Sequence, residues 1–328
     1  MYEICGILKA ENAQKENFMA IFAPKGRHCA EDYQKKKSIL PKLIFALVGV
    51  IIIVGIVLLG TKFFDKPEPQ EEPTEPQYII QNDPHIGEVV IPVVEGTEVN
   101  EYDNSKFQKN ENGFMTYVEN GIVTSSIGLD LSELQGNVDF YALKQQNIEF
   151  VILRLGGRGY GQEGNMYNDD RFDEYYQNAK NAGLKIGAYF FSQATSKEEA
   201  IEEANFALDI LDGRELDFPL AYDFEFIENE DEARTNGMDK ETITHCAVTF
   251  CETVKNAGYM PMIYINTSLI YHMYDVEKIK NFDLWHAEYT DTPSLYYDFT
   301  IWQYSYEGQV DGISAPVDLN ICLKKYGR

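Results

Sequence analysis

Basic residues are scarce in this chain: 28 Lys and Arg stand against 53 Asp and Glu, a formal charge of −25 over 328 residues. Proteins that bind a phosphate backbone neutralise it with Lys and Arg, so no nucleic-acid partner is expected. Cysteine is scarce as well, with five in all. Cys246, Cys251 and Cys322 fall in the C-terminal two thirds, an odd number, and the first two lie five apart on a predicted helix. This is not a disulfide-stapled scaffold, and ordinary packing must supply stability. No G-x-S-x-G elbow is present and no histidines gather near the acids described below, which leaves Ser–His nucleophilic chemistry without support. His245, Cys246 and Cys251 lack the short paired spacing of a structural zinc site and read as buried helix residues. No metal or cofactor is expected. What the chain does have is 44% apolar and 13% aromatic residues, enough for a sizeable core.

The charge is unevenly placed. Residues 1–61 carry 8 basic and 5 acidic residues, a net of +3, which leaves −28 for residues 62–328. Between them, residues 43–61 form a 19-residue uncharged run rich in Leu, Ile and Val. As a helix it would reach roughly 28 Å, the hydrocarbon thickness of a bilayer. Lys25, Arg27, Lys35, Lys36, Lys37 and Lys42 precede it, whereas only Lys62 and Lys66 follow closely. That asymmetry predicts residues 1–42 in the cytoplasm and the remainder outside, a single-pass protein of the cell membrane. A cleaved signal peptide fits less well, because the run is long and ends without a small-x-small site. Residues 62–112 read as an acidic, Pro-containing linker: 65–77 alone hold four Pro and five acids. Residues 113–126 read as a hairpin cap, with Asn120-Gly121 between short apolar alternations.

From residue 127 to 328, short apolar strands alternate with amphipathic helices. Strands are expected at 127–131, 150–155, 185–191, 218–226, 260–265, 283–288, 300–304 and 317–321, and helices at 139–146, 170–182, 197–211, 239–257 and near 268–280. Such alternation implies an α/β fold with a parallel sheet. Eight strands suggest a barrel, yet a full eight-unit barrel takes about 250 residues. The expectation is a truncated TIM-like barrel, five βα units followed by three nearly bare strands. An open doubly wound sheet is the alternative.

Function in parallel barrels concentrates at the C-terminal strand ends. Those ends carry Asp130 on the first strand, Asp223 and Glu225 on the fourth, and Asp318 on the eighth. Residues i and i+2 of a strand share a face, so Asp223 and Glu225 enter one cavity. Closure of a barrel would bring Asp130 and Asp318 to the same mouth. Acids so crowded cannot all ionise, and a protonated carboxyl beside an ionised one is what glycosidic-bond cleavage requires. Tyr189, Tyr264, Trp285, Tyr289, Trp302 and Tyr304, also at or near strand ends, would supply flat faces for pyranose rings. The segment from Gly159 to Gly164 fits G-x-G-x-x-G, but no helix opens there and no acid ends the next strand, so it reads as a turn or substrate-facing loop.

Several segments, in order, resemble glycoside hydrolase family 25, the muramidases or Chalaropsis-type lysozymes. They are Gly128-Leu129-Asp130-Leu131-Ser132, Phe150-Val151-Ile152-Leu153-Arg154, Gly187-Ala188-Tyr189-Phe190-Phe191-Ser192, Asp223-Phe224-Glu225, Leu284-Trp285-His286-Ala287-Glu288-Tyr289, Trp302-Gln303-Tyr304-Ser305 and Val317-Asp318-Leu319-Asn320. The resemblance implies the truncated barrel and cleavage of the β-1,4 bond after N-acetylmuramic acid in peptidoglycan. It implies Glu225 as general acid and Asp223 as nucleophile or as the group orienting the substrate's acetamido. Asp130 and Asp318 would shape the charge, with Arg154, Tyr189, Tyr222, Tyr264, Trp285, Tyr289, Gln303 and Tyr304 binding substrate. Family proteins often carry wall-binding repeats. This chain shows none and has the apolar run instead, so a wall-binding scaffold without turnover is the alternative reading.

Overall fold

Alternation of inward and outward side chains on short strands, with a helix after most of them, builds an eight-stranded closed sheet. The computed structural model describes residues 77–326 apart from 85, 228 and 229. The expected cytoplasmic segment, the membrane run at 43–61 and the acidic stretch before residue 77 lie outside the described residues. Among the described residues no helix is long and apolar enough to cross a membrane.

Five short strands come first: β1 (Gln77–Asp83), β2 (Gly87–Val93), β3 (Phe107–Lys109), β4 (Met115–Glu119) and β5 (Ile122–Val123). The barrel region follows with β6 (Ser126–Leu131), α1 (Phe140–Gln145), β7 (Phe150–Arg158), β8 (Met166–Asn168), α2 (Phe172–Ala182) and β9 (Lys185–Ser192). Then come α3 (Lys197–Leu211), β10 (Leu220–Phe224), α4 (Lys240–Asn256), β11 (Pro261–Asn266), a π-helical turn and α5 (Val276–Ile279). The last strands are β12 (Asp283–Ala287), β13 (Ile301–Gly308) and β14 (Val317–Cys322). Around the barrel the order is β6-β14-β13-β12-β11-β10-β9-β7, and β7 pairs with β6 to close it. Closure excludes the open doubly wound sheet.

The sheet is not wholly parallel. β14 runs antiparallel to both β13 and β6. Asp318 therefore stands near the start of its strand, not at its C-terminal end, and reaches the mouth because the strand is reversed. The connection from β13 to β14, residues 309–316, is short and holds no crossover helix, which suits antiparallel pairing, whereas the longer helix-free stretch 288–300 returns the chain for β12 and β13 to pair in parallel.

Helix boundaries follow local chemistry. Ser196 caps α3 through the Glu199 N–H, Asp239 caps α4 through the Thr242 N–H, and Gly183 ends α2 at φ 72°, where a Cβ would be strained. On α4 the buried residues Ile243, Cys246, Ala247, Phe250, Cys251 and Val254 form one stripe facing the sheet. That packing explains the two cysteines.

Residues 77–112, expected as linker, are ordered structure. β1 and β2 form an antiparallel hairpin whose Val89 and Ile91 are buried, and β3 pairs with β4. Tyr297 donates its hydroxyl proton to the Pro92 carbonyl at 2.7 Å, and Tyr102 does the same to Phe299 at 2.9 Å. Asn120 and Gly121, both at positive φ, turn β4 into β5.

Candidate active site

The barrel interior is layered. At its floor Phe150 and Phe218 stack with centroids 4.4 Å apart. Gly128 is required beside them, because a Cβ there would fall inside the Phe150 ring. Above the floor, Trp285 sits between Tyr189 and Tyr264, edge-to-face with each. Burying each such ring contributes ~1.5–3 kcal/mol.

The carboxyls crown this aromatic layer. Asp130 and Asp318 are register partners on β6 and β14. Asp130 Oδ2 accepts from Gln303 Nε2 at 2.8 Å and from Asn320 Nδ2 at 2.7 Å. Asn320 Oδ1 in turn accepts the Trp285 indole N–H at 2.8 Å, and Gln303 Oε1 accepts the hydroxyls of Tyr264 and Tyr289, each at 3.0 Å. A connected net thus holds Asp130 against the layer below. Asp318 hydrogen-bonds Asp130, and burial together with the Asp130 and Glu225 charges lifts its pKa to about 9. Asp130 is itself raised by burial, against the pull of Asn320 and Gln303.

Asp223, at the end of β10, is buried and pushed well above the carboxylate range. Burial is the main cause, the charges of Glu225 and Asp130 add to it, and Arg154 opposes it. Its Oδ1 is buried without a hydrogen-bond partner among the described residues. A buried polar atom left open in a cleft is a place prepared for a ligand's donor. Glu225 follows the strand on a half-buried loop position. Its backbone carbonyl accepts Gln193 Nε2 at 2.9 Å, and Gln193 Oε1 accepts the Thr235 hydroxyl at 3.2 Å. Both of these anchors are fully buried. Arg154 reaches the cleft already paired, Nε to Asp169 at 2.7 Å and Nη2 to Glu133 at 3.2 Å.

The four expected acids therefore meet at one mouth, but the expected substrate-binding set divides. Tyr289 is 45% exposed at the rim and faces solvent. Tyr189, Tyr264, Trp285 and Gln303 support the acids from below, and Trp285, 1% exposed, has no face free for a sugar. Tyr222 points the other way, packing on Phe250 of α4 at 5.3 Å. Its neighbours Ala221 and Asp223 take the inward positions, so period two excludes it. Trp302 and Tyr304 likewise lie on the outer face: Trp302 packs on Phe107 at 5.2 Å, and the Tyr304 hydroxyl accepts the Met115 N–H at 3.1 Å. Asn320 and Gln193 were not singled out from sequence. Asn320 shares a face with Asp318 by the i, i+2 rule that paired Asp223 with Glu225. Gln193 gives no comparable signal, since its role depends on a loop 32 residues away.

The segment from Gly159 to Gly164 is a loop stitched to the loop after Glu225, through Arg234 N–H to Tyr160 O at 2.8 Å and Gln162 Nε2 to Glu232 O at 2.8 Å. Among the described residues no cluster of His, Cys, Asp and Glu is arranged to hold a metal.

These residues build a closed eight-stranded α/β barrel with a carboxyl cluster at its mouth. Residues 129–313 match the model of the glycosyl hydrolases family 25, and the chain belongs to that family. It is 31% identical over 194 residues to the autolytic lysozyme of Clostridium acetobutylicum, covering 59% of this chain and 54% of that protein. It is 27% identical over 205 residues to lysozyme M1 of Streptomyces globisporus, covering 59% and 66% of the two. The chain thus spans little more than half of the first relative. The fold is shared with the spore cortex lytic enzyme SleM of Clostridium perfringens, at a TM-score of 0.53 and 24% identity over 62% of this chain and 68% of that one.

Proposed function

We propose that the chain is a muramidase that cleaves the β-1,4 bond between N-acetylmuramic acid and N-acetylglucosamine in peptidoglycan. The observation that carries this reading is the open Asp223 Oδ1 beside Glu225, in a cleft to which Asp130 and Asp318 bring two further carboxyls from paired strands. Family membership and two relatives named as lysozymes support it. Glu225, the more exposed of the pair, gives its proton to the glycosidic oxygen as the C1–O bond breaks. Asp223, buried and open on one oxygen, accepts the N–H of the neighbouring acetamido group so that its carbonyl faces the electron-poor C1, or faces C1 itself once ionised. Water then adds to C1 and returns a proton to Glu225. Asp130 and Asp318 set the field around the pair without touching the bond.

Glu225→Gln keeps the shape and removes the transferable proton. Hydrolysis of purified peptidoglycan should fall by on the order of 10²-fold or more, with binding to insoluble wall kept. Near-normal turnover would sink the assignment. A wild-type chain that binds wall but releases no new N-acetylmuramic acid reducing ends would be a scaffold rather than an enzyme.

The second part of the reading concerns place. Residues 43–61 act as a single membrane anchor, 1–42 lie inside, 62–76 form a self-repelling spacer, and the barrel faces the wall. The uncharged run and the basic flank before it support this. Protease applied to intact, wall-stripped cells should remove the barrel and leave a small membrane-bound fragment. Protection of the barrel would overturn the orientation.

A further inference from the structure

A second concavity lies across Tyr289 from the acids. It has a volume of about 460 Å³, and Lys109, Met115, Tyr304, Tyr306 and Glu307 line it together with Tyr289. Tyr289 joins the two spaces: its hydroxyl reaches Gln303 in the acid cleft at 3.0 Å, while its ring meets Tyr306 at 4.7 Å and 62°. The Tyr306 ring is 54% exposed. Singly exposed aromatics are ordinary, but two contiguous ones at the edge of a charged hollow mark a binding surface. The opposite wall comes from β3 and β4, pinned to β13 by the Met115 N–H on the Tyr304 hydroxyl. That wall precedes residue 129 and so lies outside the span that the family model matches.

We propose that this hollow is a saccharide subsite for a more distant hexosamine of the same glycan strand, a reading that rests on the proposed activity. A polymer cut at Asp223 and Glu225 has to continue past the rim, and Tyr289 stands where the acid cleft opens onto the hollow. The Tyr289 and Tyr306 faces pack the C–H face of a pyranose, and Glu307 and Asp291 at the edge accept its hydroxyls. Neither tyrosine acts on the scissile bond. Their contribution is grip on long strands.

The test uses the full chain in detergent, with Tyr306→Ala and Tyr306→Phe each placed in the wild type and in Glu225→Gln. Probes are glycan strands stripped of stem peptides and a tetrasaccharide of the same repeat. Tyr306→Ala should raise KM for long strands about 5- to 10-fold, the size expected for losing one aromatic face. kcat should hold, and kcat/KM for the tetrasaccharide should stay within twofold. Tyr306→Phe should restore the long-strand value. Calorimetric Kd values in the Glu225→Gln background should move in the same ratio, and this readout needs no turnover. A wild type that cleaves neither probe would defeat the muramidase reading alone, leaving the Kd ratio to decide the subsite. Equal loss on both probes, or none on the long strands, would overturn the subsite. So would a loss seen only with stem-bearing strands, which would assign the hollow to peptide.

Discussion

Asp318 shows how a single carboxyl is shaped by neighbours the chain brings from far away. Its folded pKa of about 9 exceeds the ordinary 3.8, so folding takes up a proton at any pH between these values. Stability then falls as pH rises through that window, by at most ~1.4 kcal/mol per unit. Asp318→Asn, an amide in place of a protonated acid, removes that carboxyl's share of the slope and leaves the shares of Asp130 and Asp223. Its urea midpoint should gain on the wild type steadily from pH 5 to pH 8, and a constant offset would show that Asp318 is ionised in the native state. The acids were legible in sequence because strand ends and the i, i+2 rule need only local spacing. The same rule also turns Tyr222 outward once Asp223 faces in. A substrate-binding role for Tyr222 is therefore at odds with the geometry of its strand.

Among elements, the N-terminal hairpin was the least legible. β1 and β2 are largely exposed, and of their apolar residues only Val89 and Ile91 are buried, toward a core supplied by residues some 200 positions later. Its attachment centres on a buried knot outside the barrel. The Ser294 hydroxyl donates to Glu288 Oε1 at 2.6 Å, Asp83 lies within 3.1 Å of that hydroxyl, and His286 pairs with the other Glu288 oxygen at 2.9 Å. Burial pushes the Glu288 pKa up, but His286 and Ser294 outweigh it and hold it below 4.5. Ser294→Ala should cost roughly 1–3 kcal/mol by leaving buried acceptors unmade, with kcat unchanged. A drop in kcat would mean the knot reaches the cleft. By the same logic, a fragment beginning at Gly113 exposes Phe299, Trp302 and Tyr297, whereas one beginning at Gln77 keeps them covered. The shorter fragment should melt several degrees lower by calorimetry, and equal melting would make residues 77–112 a passive decoration.

At the scale of the molecule, the barrel was readable as five βα units and three bare strands because turn glycines and helix caps punctuate each unit. The reversal of β14 was not, since pairing direction depends on how a connection folds back, and periodicity carries no sign of it. Closure makes the first barrel strand and the last one neighbours, and the reversal turns the start of β14 toward the mouth. Asn320 and Asp130 bond across 190 positions of chain. Synthesis runs from the N-terminus at roughly 5–20 residues per second, so Asp130 waits on the order of ten seconds or more before Asp318 exists. Until then the emerging polypeptide has at most three of its four acids and no closed mouth to hold them. A chain stopped before β14 (Val317–Cys322) therefore has no closed barrel, and the cleft comes into being only when that strand is joined.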